Sequence, residues 1–211
     1  MSPDSVARTE RAALCELFLA VGPDQPTLCA GWTTHDLAAH LVMRDRRPDA
    51  ALGIVVPALA AHTERVRVAT ARRPFPELVA LLRSPPLWSA GAIGPLDRAT
   101  NTLEFFIHHE DVRRAAPDWQ PRPLTRDVGR ALWLGVGRVA KLALRRFRTG
   151  VAVTAPGFGE TRGGAGPVEV HLTGDPGELA MFLYGRQPAA RVELTGAEEL
   201  TTRLRKARLG L

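Results

Sequence analysis

The stretch "GWTTHDLAAHL" spans residues 31 to 41, and its reading decides the fold of the first half of the chain. Thr33 and Asp36 have the spacing of a capping box, with Asp in place of the more usual Glu or Gln, so a helix is predicted to start here. It runs to about Arg47, because Pro48 cannot continue the hydrogen-bond ladder except as the first residue of a new helix. His40 lies within it among Leu37, Ala38, Ala39 and Leu41. An imidazole on so apolar a face needs a partner.

One is offered by "NTLEFFIHHEDVRR", residues 101 to 114, where Glu104 and His108 are four apart. At about 100° per residue, four residues bring a side chain back to within about 40° of its starting direction. A carboxylate and an imidazole therefore share one helical face, and Asp111, three further on, continues the stripe. His109 points about 100° away and reads as a surface or loosely packed residue. If this helix neighbours the one carrying His40, then His40, Glu104 and His108 converge. Two imidazoles and one carboxylate form a typical set for a catalytic divalent ion with a position left for water or substrate, and suit zinc, iron, nickel or manganese. A hydrogen-bonded core histidine and an ordinary Glu–His pair on a helix account for the same spacing, so both readings stand at this point. Asp36, four before His40, could hold the far side of that imidazole, though its cap with Thr33 explains it equally well. His35, His62 and His171 have no partner pattern and read as structural or solvent-facing.

The rest of the first two thirds is also predicted helical. Residues 5 to 22 form a helix with Ser5 as N-cap and a stop at Gly22-Pro23; further helices cover 58 to 71, 76 to 83, 98 to 116 and 125 to 148. "SPPLWSAGAIGP", 84 to 95, reads as loop. After Gly150 the period changes. "VAVTA" (151 to 155), "VEVHLTG" (168 to 174) and "ARVELTG" (190 to 196) read as strands, with "GFGETRGGAGP" as turn. "DPGELAMFLYGR" and "AEELTTRLRKARL" read as helices. The expected division is a helical bundle over 1–149 and a small α+β domain over 150–211.

The 211 residues suffice for one large or two small domains with a buried core, and 45% hydrophobic with 24% charged residues is ordinary for a folded soluble protein. No stretch approaches the roughly 20 apolar residues of a membrane helix, and "MSPDSVARTE" lacks the features of a secretory signal, so the expected location is the cytoplasm. The net charge of +6 raises nucleic acid as a partner, but the arginines are scattered, and "RDRRPD" and "LRRFR" lack interleaved aromatics. Nucleic acid is not the expected partner. Cys15 and Cys29 do not make a disulfide framework and read as reduced, buried thiols.

"LCAGWTTHDLAAHLV" followed by "LEFFIHHEDVRRA" resembles the mycothiol-dependent maleylpyruvate isomerase family of the DinB-like superfamily. Gly31, Trp32, Thr33, Asp36, Leu37, His40 and Leu41, then Glu104, His108 and Asp111, agree with the family pattern in order and spacing. "RDRRPDAALG", 44 to 53, resembles a branch known only for binding metal. The resemblance implies a mainly α chain: a DinB-like four-helix bundle carrying a metal site, then a small α+β domain resembling sterol-carrier proteins. It also implies a divalent ion, usually zinc, on His40, Glu104 and His108, and a low-molecular-weight thiol such as mycothiol as co-substrate. A metal-bound thiol loses its proton, and the thiolate attacks an electrophile. Arg44, four after His40, and Arg186 are candidates for binding acidic groups of such a substrate.

Three functions are compatible with these readings. The first is a thiol-dependent transferase or isomerase acting on a small electrophile. The second is a non-catalytic metal-binding module or sensor, with Asp111 or His109 closing the coordination sphere. The third is a metal-dependent hydrolase. The apolar helices would suit a monomer or a homodimer.

Overall fold

The computed structural model describes residues 3–54, 56–89 and 94–210. The chain divides into two compact units, 1–121 and 122–211.

The first unit is helical. Helix α1 covers Pro3–Val21, α2 Thr34–Arg46, α3 Pro48–Ala51, α4 Ala60–Thr70, α5 Phe75–Arg83 and α6 Gly94–Arg113. Helix α1 lies along α6 and α5, while α2 lies against α4 and α5. Ser5 falls inside α1 rather than at its cap, and its side chain is outside the described residues. The helix stops where expected, with Gly22 at φ +83, a left-handed turn that favours glycine after a helix end. The stretch read as loop over 84 to 95 ends in helix, since α6 starts at Gly94; residues 90–93 are outside the described residues.

The capping box at the head of α2 forms as its spacing predicts. The Thr33 hydroxyl accepts from Asp36 N, and Asp36 Oδ2 accepts from Thr33 N at 3.2 Å. Apolar faces of the helices close over Leu14, Phe18, Leu37, Leu41, Leu78, Leu82 and Phe105, with Phe18 edge-on to Phe75 at 5.8 Å. Arg11 is buried in this packing: it pairs with Asp45 at 2.9 Å and stands 4.4 Å over the Phe105 ring, tying α1 to α2 and α6.

The second unit is α+β. Helix α7 (Arg126–Ala143) precedes strands β1 (Gly150–Ala155), β2 (Gly159–Gly163) and β3 (Val168–Thr173). Helix α8 (Pro176–Leu183), strand β4 (Glu193–Gly196) and helix α9 (Glu198–Lys206) follow. The sheet order is β2-β1-β3-β4, with β1 and β3 parallel and the outer pairs antiparallel. Val151 and Val153 stand beside Val170 and Leu172, and all four are buried, which is the alternation read from the sequence.

One expectation needs correction here. The "GFGETRGGAGP" stretch contains a strand as well as turns, because β2 is an edge strand whose middle residues, Glu160 to Arg162, lean toward solvent and carry no apolar alternation. Helix α7 belongs to the second compact unit, where it packs on β2 and α8. Glycines make that packing possible: a Cβ on Gly163 would stand 2.6 Å from Ala140 O and 2.7 Å from Leu144 Cδ1, and one on Gly129 would meet the Phe158 ring at 2.6 Å. Among the described residues, no helix is long and apolar enough to cross a membrane.

Candidate metal centre

Helices α2 and α6 bring His40, Glu104 and His108 together. Glu104 Oε1 lies 3.3 Å from His108 Nε2 and 3.6 Å from His40 Nε2, and the three donor atoms all fall within 4.8 Å of one another. The two imidazole rings meet edge to face at 5.5 Å. A charge-assisted N–H to carboxylate bond closes to about 2.7–2.9 Å, shorter than either of these distances. Two ligands each about 2.1 Å from a tetrahedral ion are about 3.4 Å apart, which both distances match. The donor set and its spacing fit a divalent cation.

The surroundings orient these donors. Asp111, one turn beyond His108 and fully buried, sets its Oδ2 2.9 Å from His108 Nδ1. A carboxylate there accepts the Nδ1 proton and turns the Nε2 lone pair toward Glu104. Arg44 places Nε 3.3 Å from Glu104 Oε1 and donates from Nη1 to Asn101 Oδ1 at 2.6 Å. Trp32, at the head of α2, sits 5.1 Å from the His40 ring. Arg67 of α4 stands 5.0 Å over the Trp32 ring while pairing with Asp36 at 2.7 Å and with Glu64 at 2.7 Å.

Charge follows from this packing. Burial opposes ionisation of Glu104, yet the Arg44 guanidinium and the two imidazoles hold its carboxyl well below the usual range. Burial likewise opposes charge on His108, but hydrogen bonds to Asp111, Cys29 and Glu104 raise its pKa well above the ordinary value. His40 is pushed down, chiefly by burial.

The remaining candidates fall elsewhere. Asp36 gives its carboxylate to Thr33 and Arg67, so it acts as cap and ion pair rather than as a support for His40. His109 is buried, not on the surface, and its Nδ1 meets the buried Glu10 carboxylate at 2.9 Å, because α1 covers that side of α6. Arg186 belongs to the second unit, where its guanidinium donates to the Tyr184 carbonyl at 2.6 Å. His35 meets the Arg73 carbonyl, His62 pairs with Asp49, and His171 is exposed on β3.

Sequence reasoning missed one neighbour of the site. Cys29 is a half-buried thiol outside any disulfide that donates to Asp111 Oδ2 at 3.2 Å and lies 3.9 Å from His108 Nδ1. No spacing could have revealed a contact spanning 82 residues; the only signal was its place two residues ahead of the "GWTTHD" helix start. Cys15 is likewise outside any disulfide and fully buried against the Val79 carbonyl.

No protein-family model matches the chain, and no curated protein matches its sequence. Two solved structures do match in three dimensions. A crystal structure of the mycothiol-dependent maleylpyruvate isomerase superposes with a TM-score of 0.62 over 92% of this chain and 91% of that one, at 13% identity. A crystal structure of a mutant of that isomerase gives a TM-score of 0.55 with the same coverage, at 14% identity. What this chain shares with those isomerase structures is the fold.

Proposed function

We propose that the chain is a divalent-metal-dependent enzyme that uses a low-molecular-weight thiol, of the mycothiol type, to transfer to or isomerise a small electrophilic substrate. The observation that carries the reading is the spacing of Glu104 Oε1 from the two Nε2 atoms, 3.3 and 3.6 Å, which is that of two edges of a tetrahedral coordination sphere. The fold shared with a mycothiol-dependent isomerase supports the thiol. His40, Glu104 and His108 would hold the ion, and two nitrogens with one oxygen suit zinc, with iron, nickel and manganese as alternatives. A divalent ion bound there supplies the Lewis acidity that draws the proton from a thiol and leaves a thiolate as nucleophile.

The chain's own residues do the rest. Asp111 fixes the tautomer and orientation of His108. Arg44 steadies the Glu104 charge and is the candidate in the first unit for binding an acidic group of a substrate. Arg186 is the corresponding candidate in the second unit. Against a closed, purely structural ion, neither residue suspected as a fourth ligand is suitably turned: Asp111 contacts the far nitrogen of His108, and His109 is engaged with Glu10. Among the described residues, no fourth His, Cys, Asp or Glu joins the group.

Metal analysis of the purified chain, followed by a thiol-conjugation screen over small electrophiles, tests the reading. One ion per chain and turnover that needs added thiol are expected. Full occupancy in a His40→Ala variant, or turnover of esters or amides without thiol, would overturn it.

A further inference from the structure

The net charge of +6 sits in one part of the chain. Residues 122–211 hold 15 Lys and Arg against 8 Asp and Glu, a net +7, whereas residues 1–121 hold 13 against 14. Within the second unit the cations gather toward the ends of α7 and α9. "RVAKLALRRFR", 138 to 148, carries five and no acid, and "RLRKAR", 203 to 208, carries four and no acid. All nine are exposed, and among the described residues no carboxylate pairs with any of them. The Arg203 guanidinium lies 5.5 Å from the Phe147 ring, and Phe147 stands between Arg146 and Arg148 in the chain, so the two segments meet. Cations in the last turn of a helix answer its dipole. Here, however, Arg138 precedes the last turn of α7, and Arg145, Arg146, Arg148 and Arg208 lie beyond the helix ends.

Two leucines lie bare on the same stretch of α7. Leu142, 46% exposed, follows Arg138 by one turn, and Leu134, 59% exposed, precedes it by one. The aromatic ring within the cluster, Phe147, is buried and offers no face on which a nucleic-acid base could stack. Cations around bare leucines match a lipid interface instead, where guanidinium and ammonium groups meet headgroup phosphates and apolar side chains enter the acyl boundary beneath them. We propose that this face of the second unit docks on the surface of an anionic bilayer. The cations supply the attraction and the register over the headgroups, and Leu134 and Leu142 supply the short-range anchoring. Such docking is peripheral and needs no membrane-spanning helix.

The test is co-sedimentation of the full chain with vesicles of phosphatidylcholine alone and of equal parts phosphatidylcholine and phosphatidylglycerol, at low and at raised salt. Binding is expected to the anionic vesicles only, and to weaken as salt screens the headgroups. Arg145→Gln with Arg146→Gln, and separately Arg205→Gln with Lys206→Gln, should each weaken it by about 5-fold per cation removed. Arg72→Gln, which removes an exposed cation from the first unit, should leave it unchanged. Leu134→Ser with Leu142→Ser should weaken it by about 5-fold per leucine, at unchanged charge. Equal binding to neutral vesicles, no binding to anionic ones, or an equal loss in Arg72→Gln would each overturn the proposal. So would an undiminished affinity in the leucine variant, or tighter binding to duplex DNA than to the anionic vesicles, which would assign the face to nucleic acid. The metal centre plays no part in these measurements, so their outcome is independent of the thiol-dependent reading.

Discussion

Asp111 Oδ2 and His108 Nδ1 lie 2.9 Å apart, three residues along the same helix, and this contact decides which nitrogen of His108 faces Glu104. In Asp111→Asn the side chain keeps its shape but loses its charge, so the imidazole loses basicity at Nε2. Loss of such a partner typically weakens metal affinity about 10- to 100-fold. Competition with a chromophoric chelator measures it, and an unchanged affinity for a borderline ion such as Zn²⁺ would show that the contact is not used to orient a ligand.

The raised pKa of His108 sets the pH dependence of metal binding. A cation at Nε2 must displace a proton that His108 keeps to well above 6.5, so affinity should climb as pH rises through that range and level off once the folded imidazole is neutral. Calorimetry in buffers of different ionisation heat counts the protons, and about one per ion is expected from this residue.

Metal-free stability responds to the same groups. His108 contributes fully below its unfolded value of 6.5, and this contribution is lost as pH rises through its raised folded value. Glu104, held down, contributes above 4.5 and loses this as pH falls through its depressed folded value. His40 is also lowered, so its contribution is present above 6.5 and fades as acid charges it. Denaturant melts of the stripped protein should therefore show the His108–Glu104 pair helping most between 4.5 and 6.5. A metal-free stability that rises steadily from pH 6.5 to alkaline pH would contradict the assignment for His108.

Thr33 starts the helix that carries His40. Thr33→Ala removes the acceptor for Asp36 N and should cost about 1 kcal/mol, read as a lower denaturant midpoint with an unchanged slope. A Ser replacement should restore most of the loss, since its hydroxyl caps equally well.

The second unit offers a paired test. Gly163→Ala forces a Cβ to within 2.6 Å of the Ala140 carbonyl oxygen and should destabilise by about 1–3 kcal/mol. At Gly137, inside α7, the nearest atom would be Thr161 Oγ1 at 3.9 Å, so Gly137→Ala should instead stabilise by about 0.4–1 kcal/mol. Equal effects at the two positions would mean that close packing of α7 on the sheet is not what the glycines serve.

Much of this was legible in the sequence because it is local. The capping box, the Glu104–His108 turn and the alternation that buries Val170 and Leu172, though it leaves Val168 exposed at the strand's start, each depend on residues a few positions apart. The long-range parts were not. Nothing around Glu10 or His109 signals that they meet, and the place of Cys29 against α6 depends on how a loop is tied to a helix end. Strand β2 was hidden for a different reason: as an edge strand it lacks apolar alternation, and the glycines that read as turn are there to admit α7.

Arg67 clasps Asp36, Glu64 and the Trp32 ring at once, so one guanidinium links α4 to the first turn of α2 and to the ring beside His40. Loosening α4 anywhere along its length would then slacken the flank of His40 without touching a single donor atom. An inactive variant in that helix would look, by loss of metal alone, like a damaged ligand, and only amide exchange along residues 34 to 40 would tell the two apart.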